Sequence, residues 1–169
     1  MIDYQIGTKV LGDWEIIRLI GEGSYGKVFE LKKNSFGVES KAALKMIRIP
    51  KNHSEIKDAL SDGMDEKSVT TYFRDIVELF VREIAIMTEL KSHPNIVTCE
   101  DYSVMDHEGT IGWDILIRME LLTPLTEHAM SHKMTQNDVK NIAIDMCEAL
   151  VFCQKKALIH RDIKRIIFS

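Results

Sequence analysis

Three glycines and one lysine supply the first chemistry legible in this chain. Gly21, Gly23 and Gly26 stand in the run Ile20-Gly21-Glu22-Gly23-Ser24-Tyr25-Gly26-Lys27-Val28, spaced G-x-G-x-x-G. Glycine presents backbone N–H groups with no Cβ in the way, so a phosphate can approach closely. The spacing alone fits a dinucleotide-binding turn, a hairpin covering a nucleotide, or an ordinary tight turn. A dinucleotide site needs a helix directly after the glycines. Here Lys27-Val28-Phe29-Glu30-Leu31-Lys32 reads as a strand, which makes a dinucleotide-binding enzyme the runner-up. Ala42-Ala43-Leu44-Lys45 then places a cation on the following strand. A second cluster, His160-Arg161-Asp162-Ile163-Lys164, lies near the end of the chain.

The elements that position these groups follow from periodicity and turn residues. Strands are expected over 14–20, 27–33 and 40–49, after a lead-in of residues 1–13 with turns at Gly7 and Gly12. Val28 and Ala43 are accounted for equally well as core residues of a small sheet. Residues 50–67 are polar and read as a loop or insertion. From Val69 to Leu90, Tyr72, Phe73, Ile76, Leu79, Phe80, Ile84, Met87 and Leu90 recur at helical spacing. Pro94 ends that helix. Two further strands, about 99–105 and 113–120, flank a turn at Asp106-His107-Glu108-Gly109. A short helix over 125–131 and a longer one to about Lys156 follow, the latter capped by Thr135 with Asp138. Its stripe of Val139, Ile142, Ala143, Met146, Ala149, Leu150 and Cys153 needs a surface to cover it.

The glycine hairpin, the lysine after it and the His160–Lys164 run together resemble the protein kinase family, of a serine/threonine, bacterial-looking type, over nearly the whole chain. The resemblance implies an α+β fold: an N-lobe of a five-stranded antiparallel sheet with one long helix in residues 1–120, then a hinge and the first C-lobe helices in 121–169. It implies ATP as the bound nucleotide and a protein serine or threonine hydroxyl as acceptor. Residues Ile20, Gly21, Glu22, Gly23, Ser24, Tyr25 and Gly26 would cover the phosphates, with Val28 and Ala43 against the adenine. Lys45 would grip the α- and β-phosphates, held by a helix glutamate. Glu83 is preferred and Glu78 is the rival on the same helix, a solvated surface role being the alternative for either. Met119 would be the gatekeeper, and Glu120 and Leu122 would offer main-chain groups to the adenine edge. Arg118 receives no role. His93-Pro94-Asn95-Ile96-Val97 is frequent at this place in the family, with His93 a structural loop residue. Asp162 would orient the substrate hydroxyl and accept its proton, and Lys164 would neutralise the transferring phosphoryl group. His160 and Arg161 would tie the loop to the core.

The end of the chain departs from the pattern. Ile167 stands where the family's magnesium-binding asparagine belongs, and its side chain has no donor for a hard cation. Arg165 replaces the usual proline. The D-F-G that also binds Mg2+, the activation loop and the A-P-E do not follow. The expectation is a kinase truncated within its catalytic loop and weak or inactive alone. A one-base deletion in codons for Lys-Pro-Asn-Asn-Ile-Phe can yield the observed Lys164–Ser169. The alternatives are a pseudokinase-like fragment that binds nucleotide or docks a partner on the 139–153 face, and a non-functional frameshift product.

Composition narrows the rest. The 169 residues are 45% hydrophobic and 28% charged, an ordinary globular balance with a core to bury. A net charge of −4 gives no reason to propose nucleic acid or an anionic membrane as partner. Cys99, Cys147 and Cys153 lack metal-type spacing and fit free thiols in a reducing cytoplasm. No signal peptide, membrane span or internal repeat is visible.

Overall fold

The computed structural model describes residues 3–23 and 26–158. The chain divides into two compact units, Met1–Glu89 with Thr98–Leu122, and Leu90–Val97 with Thr123–Ser169.

The first unit is built on a six-stranded sheet. Its strands are β1 (Lys9–Val10), β2 (Trp14–Gly23), β3 (Gly26–Ser35), β4 (Val38–Ile49), β5 (Cys99–Asp106) and β6 (Trp113–Met119). They lie in the order β1-β2-β3-β4-β6-β5, every neighbouring pair antiparallel. Between β4 and β5 run α1 (His53–Ser61) and α2 (Glu66–Glu89).

Successive side chains of a strand point to opposite faces, and each face is covered differently. On one, Ile47, Ile49, Ile115 and Ile117 pack with Val69, Phe73, Val77 and Ile84 of α2. On the other, Leu44, Met46 and Leu116 pack with Phe29, Leu31 and the amino-terminal Tyr4, Val10 and Trp14. Full burial of each such side chain contributes roughly 1.5–3 kcal/mol.

Two local expectations change. Residues 1–13 are not a bare lead-in. Lys9 and Val10 pair with Glu15 and Trp14, which adds a sixth strand to the expected five. The polar stretch 50–67 is not a loop. Asn52 caps α1 by accepting the Glu55 N–H at 3.2 Å, and Glu55 returns a bond from the Lys51 N–H at 3.0 Å. Gly63, at φ +92°, then terminates that turn. Asp65 accepts the Ser68 N–H at 2.7 Å and starts α2 three residues before the periodic apolar stripe begins. Caps compensated for weak periodicity: Ile56 is the only residue of α1 that is buried.

The second unit contains α3 (Leu125–Ser131) and α4 (Gln136–Lys155). Thr135 and Asp138 form the reciprocal cap expected for α4. None of the residues of α4 is buried, and Val139, Met146 and Val151 are about half exposed. The loop before β5 packs on this helix. The His93 ring lies 4.8 Å from that of Phe152, and Asn95 donates to the Asp145 carbonyl at 3.2 Å. Among the described residues, no helix is long and apolar enough to cross a membrane.

Candidate active site

The glycine run closes the β2–β3 hairpin, with Gly21 opposite Val28, Glu22 opposite Lys27 and Gly23 opposite Gly26. The three glycines are held there for different reasons. Gly26 has φ +129°, and a Cβ on it would lie 2.0 Å from the Met46 carbonyl oxygen. The fold therefore demands glycine at 26. A Cβ on Gly21 would make only an ordinary 3.9 Å contact, and one on Gly23 would meet nothing within 4 Å. Packing in the fold leaves glycine unexplained at 21 and 23. Close approach by a bound group would explain it. Glu22 and Lys27 pair at 3.7 Å across the tip, both well exposed, a contact of little energy.

Strand register gathers the other residues. Val28 and Ile117 flank Lys45 on either side, and Met119 stands opposite Ala43. Positions 43 and 45 share a face, so Val28, Ala43, Lys45 and Met119 form one contiguous patch beside the hairpin. Ala43 is buried, while Val28, Lys45 and Met119 are partly exposed. This is the same sheet face that α2 covers further along at Ile47 and Ile49.

The expected Lys45–Glu83 contact is not made. Among the described residues, no ion pair joins Lys45 to Glu83 or to Glu78. Glu83 is exposed. At about 100° per residue it sits on the border of the buried stripe of α2, beside Phe80 and Met87. Glu78 falls on the opposite side and pairs with Arg82 at 3.7 Å.

Residues 14–166 match the family model described as protein kinase domain. The chain belongs to the protein kinase family. Ser24 and Tyr25 of the glycine run lie outside the described residues, as do His160, Arg161, Asp162, Lys164 and Ile167.

In this kinase chain the segment after β6 uses its glutamate structurally. The Glu120 carboxylate accepts the Thr98 N–H at 2.9 Å, so its side chain is already engaged. Leu122 and Ile20 are both exposed. Arg118, without a role in the sequence, stacks over Trp14 at 4.7 Å and pairs with Glu100. It joins the β6 end to the amino-terminal cover of the sheet.

Two charged clusters escaped the sequence. Glu30, opposite Ala43, is buried beneath Arg18 at 2.7 Å and Lys41 at 3.3 Å. The Arg18 hydrogen bond, outweighing burial and helped by Lys41, holds its carboxyl below the usual range. Asp114 is fully buried and bound by Arg48 at 2.7 and 3.1 Å, with His107 Nε2 at 3.1 Å. The His107 contact is an ion-pair distance without hydrogen-bond geometry. Burial pushes the Asp114 carboxyl up, but the Arg48 and His107 interactions outweigh it and hold it below the usual range. Burial, then the Asp114 charge, push the nearby Tyr4 hydroxyl upward. The only sequence signal for either cluster was a carboxylate in an apolar strand. Its partners depend on cross-strand register.

ATP fits the residues at hand: a hairpin with two unhindered glycines, a small buried Ala43 and the Lys45 cation. Magnesium does not fit in the same way. Ile167 offers no donor, and among the described residues no group of three or more His, Cys, Asp or Glu converges.

Proposed function

We propose that this kinase chain binds ATP and belongs to the serine/threonine class, transferring the γ-phosphate to protein hydroxyls. Supporting the reading is the contiguous patch of Val28, Ala43, Lys45 and Met119 beside a hairpin whose Gly21 and Gly23 the fold does not require. Val28 and Ala43 pack on the adenine face, and Met119 closes the back. Main-chain groups of Glu120 and Leu122 meet the adenine edge, as the engagement of the Glu120 carboxylate favours. The Lys45 ammonium holds the α- and β-phosphates. Glu83, at the border of the α2 stripe, reaches Lys45 only if α2 rotates or shifts on the sheet. Asp162 orients the acceptor hydroxyl and Lys164 neutralises the transferring group. The first unit corresponds to the N-lobe and the second to the start of the C-lobe.

The test is calorimetric titration of the chain with ATP, and radiolabelled phosphate transfer to serine, threonine and tyrosine peptides. Lys45→Met should weaken ATP binding by about tenfold, as loss of a charge-assisted hydrogen bond does, with thermal stability unchanged. Equal affinity in the variant would remove the assigned site. Label on tyrosine peptides alone would refute the serine/threonine assignment. The exposed apolar face of α4 favours a second reading, a partner-docking module; nucleotide binding without transfer, together with a stably bound partner, would select it.

A further inference from the structure

We propose that His128 and His132, one helical turn apart at the carboxyl end of α3, chelate a divalent late transition-metal ion such as Zn2+. Side chains four residues apart share a helix face, and two histidines at that spacing ligate zinc in metalloprotease helices. Here the two rings stack with centroids 4.6 Å apart and 20° between their planes. Both residues are exposed, so an ion reaches them from solvent. Two nitrogens about 2 Å from one ion stand roughly 3–4 Å apart, so small turns of the exposed rings bring them into place. Imidazole suits zinc, copper and nickel, and water completes the coordination sphere.

Neighbouring groups prepare the pair. Ser131 Oγ lies 2.9 Å from the Glu127 carbonyl oxygen, 3.1 Å from that of His128 and 2.9 Å from His132 Nδ1. A hydroxyl has one proton, and facing two carbonyl oxygens it donates that proton to them. The third contact is therefore His132 Nδ1–H donating to Ser131 Oγ. That tautomer leaves the Nε2 lone pair open to a metal, as a second hydrogen bond does for ligating imidazoles. The Asp138 carboxylate is close enough to His128 for their charges to interact, and it adds negative potential at the site. The carbonyl end of a helix also favours a cation. α3 itself has little else to hold it. It has seven residues, none of them buried, and its N-cap Pro124 makes no side-chain cap hydrogen bond. Helices this short are marginal without packing, and a metal clip across the last turn supplies the stabilisation that packing does not. The histidines belong to the second compact unit and the nucleotide patch to the first.

The test titrates ZnCl2 into the tag-free full chain without nucleotide, followed by calorimetry and by amide NMR. Saturable binding is expected, with shift changes centred on residues 126–138 and slower hydrogen exchange over 128–132. MgCl2 at the same concentration should move no signal there, since a hard cation prefers oxygen donors. His128→Phe and His132→Phe each keep a ring to stack and remove a donor. Either should weaken Zn2+ binding by about tenfold or more, because the second imidazole of a chelate binds intramolecularly. Absence of saturable binding, shift changes centred on Cys147 or Cys153 instead, or undiminished affinity in either variant would each overturn the proposal. None of these readouts depends on ATP binding or phosphoryl transfer.

Discussion

Replacing Gly26 with alanine tests the steric account of the hairpin most directly. At φ +129° an L-residue is strained, at a cost on the order of 1–3 kcal/mol. The new Cβ would stand 2.0 Å from the Met46 oxygen and 3.2 Å from the Ile47 Cα. Real Cβ contacts below 3.0 Å essentially do not occur, so β3 must move away from β4 by about an ångström. That displacement breaks the last rung, Lys27 with Met46, which is worth roughly 1 kcal/mol. Together the terms give a loss of about 2–4 kcal/mol, a large share of the ~5–15 kcal/mol by which domains are stable. The assay is urea unfolding followed by tryptophan fluorescence. Both tryptophans report on the first unit, Trp14 from one face of the sheet and Trp113 from the other. Gly23→Ala is the control, because its Cβ meets nothing; it should stay within about 0.5–1 kcal/mol of the parent. If Gly26→Ala also stays within that margin, Gly26 does not pack against Met46 as described.

Acid should destabilise the first unit. The Asp114 carboxyl is depressed in the folded state, so its contribution is complete above the unfolded value of about 3.9 and is lost as pH falls through the folded value. The unfolding midpoint should therefore be flat from about pH 5 upward and fall below about pH 4, with Glu30 adding to the same limb. Asp114→Asn should cost about 3 kcal/mol at neutral pH by leaving the Arg48 charge under-compensated, and should shallow the acid limb; an unchanged limb would exclude Asp114 as a source. Thr135→Ala should remove about 1 kcal/mol from α4, seen as lost helical circular dichroism with the tryptophan signal unmoved. Ile84→Ala should cost roughly 2–5 kcal/mol, since Ile84 is 1% exposed between α2 and the sheet; a cost below 1 kcal/mol would mean that α2 does not depend on that contact.

Strands and helices whose order rests on short-range patterns are legible in the amino-acid sequence. Periodicity locates β2 to β6, α2, α3 and α4, and a cap pair locates the start of α4 at Thr135. The region that forms α1 is hidden because its helix buries one residue and is set by caps, whose effect does not appear as an apolar stripe. The amino-terminal cover is hidden for another reason. Tyr4, Val10 and Trp14 are unremarkable in sequence and become core in a cluster that joins residues from Ile16 and Phe29 to Leu116, a hundred positions away. Within the site, the glycines and Lys45 stand out by type and spacing. Glu120 is legible as a position, while the bond from its side chain to Thr98 is not.

By itself the sequence determined the family, the order of β2 to β6 and of α2 to α4, and the identity of the residues with chemistry, because each depends on residue type at short separation. The tertiary structure alone decided which of those residues meet. Register between β3, β4 and β6 makes one patch of Val28, Ala43, Lys45 and Met119. It also buries Glu30 and Asp114 beside their arginines. The same structure leaves Glu83 exposed and unjoined to Lys45, since a helix position fixes a direction while the remaining distance depends on how the whole helix packs on the sheet. Gly26 shows the division in one residue: its type marks a turn, and the Met46 carbonyl against which it packs explains why no other residue fits.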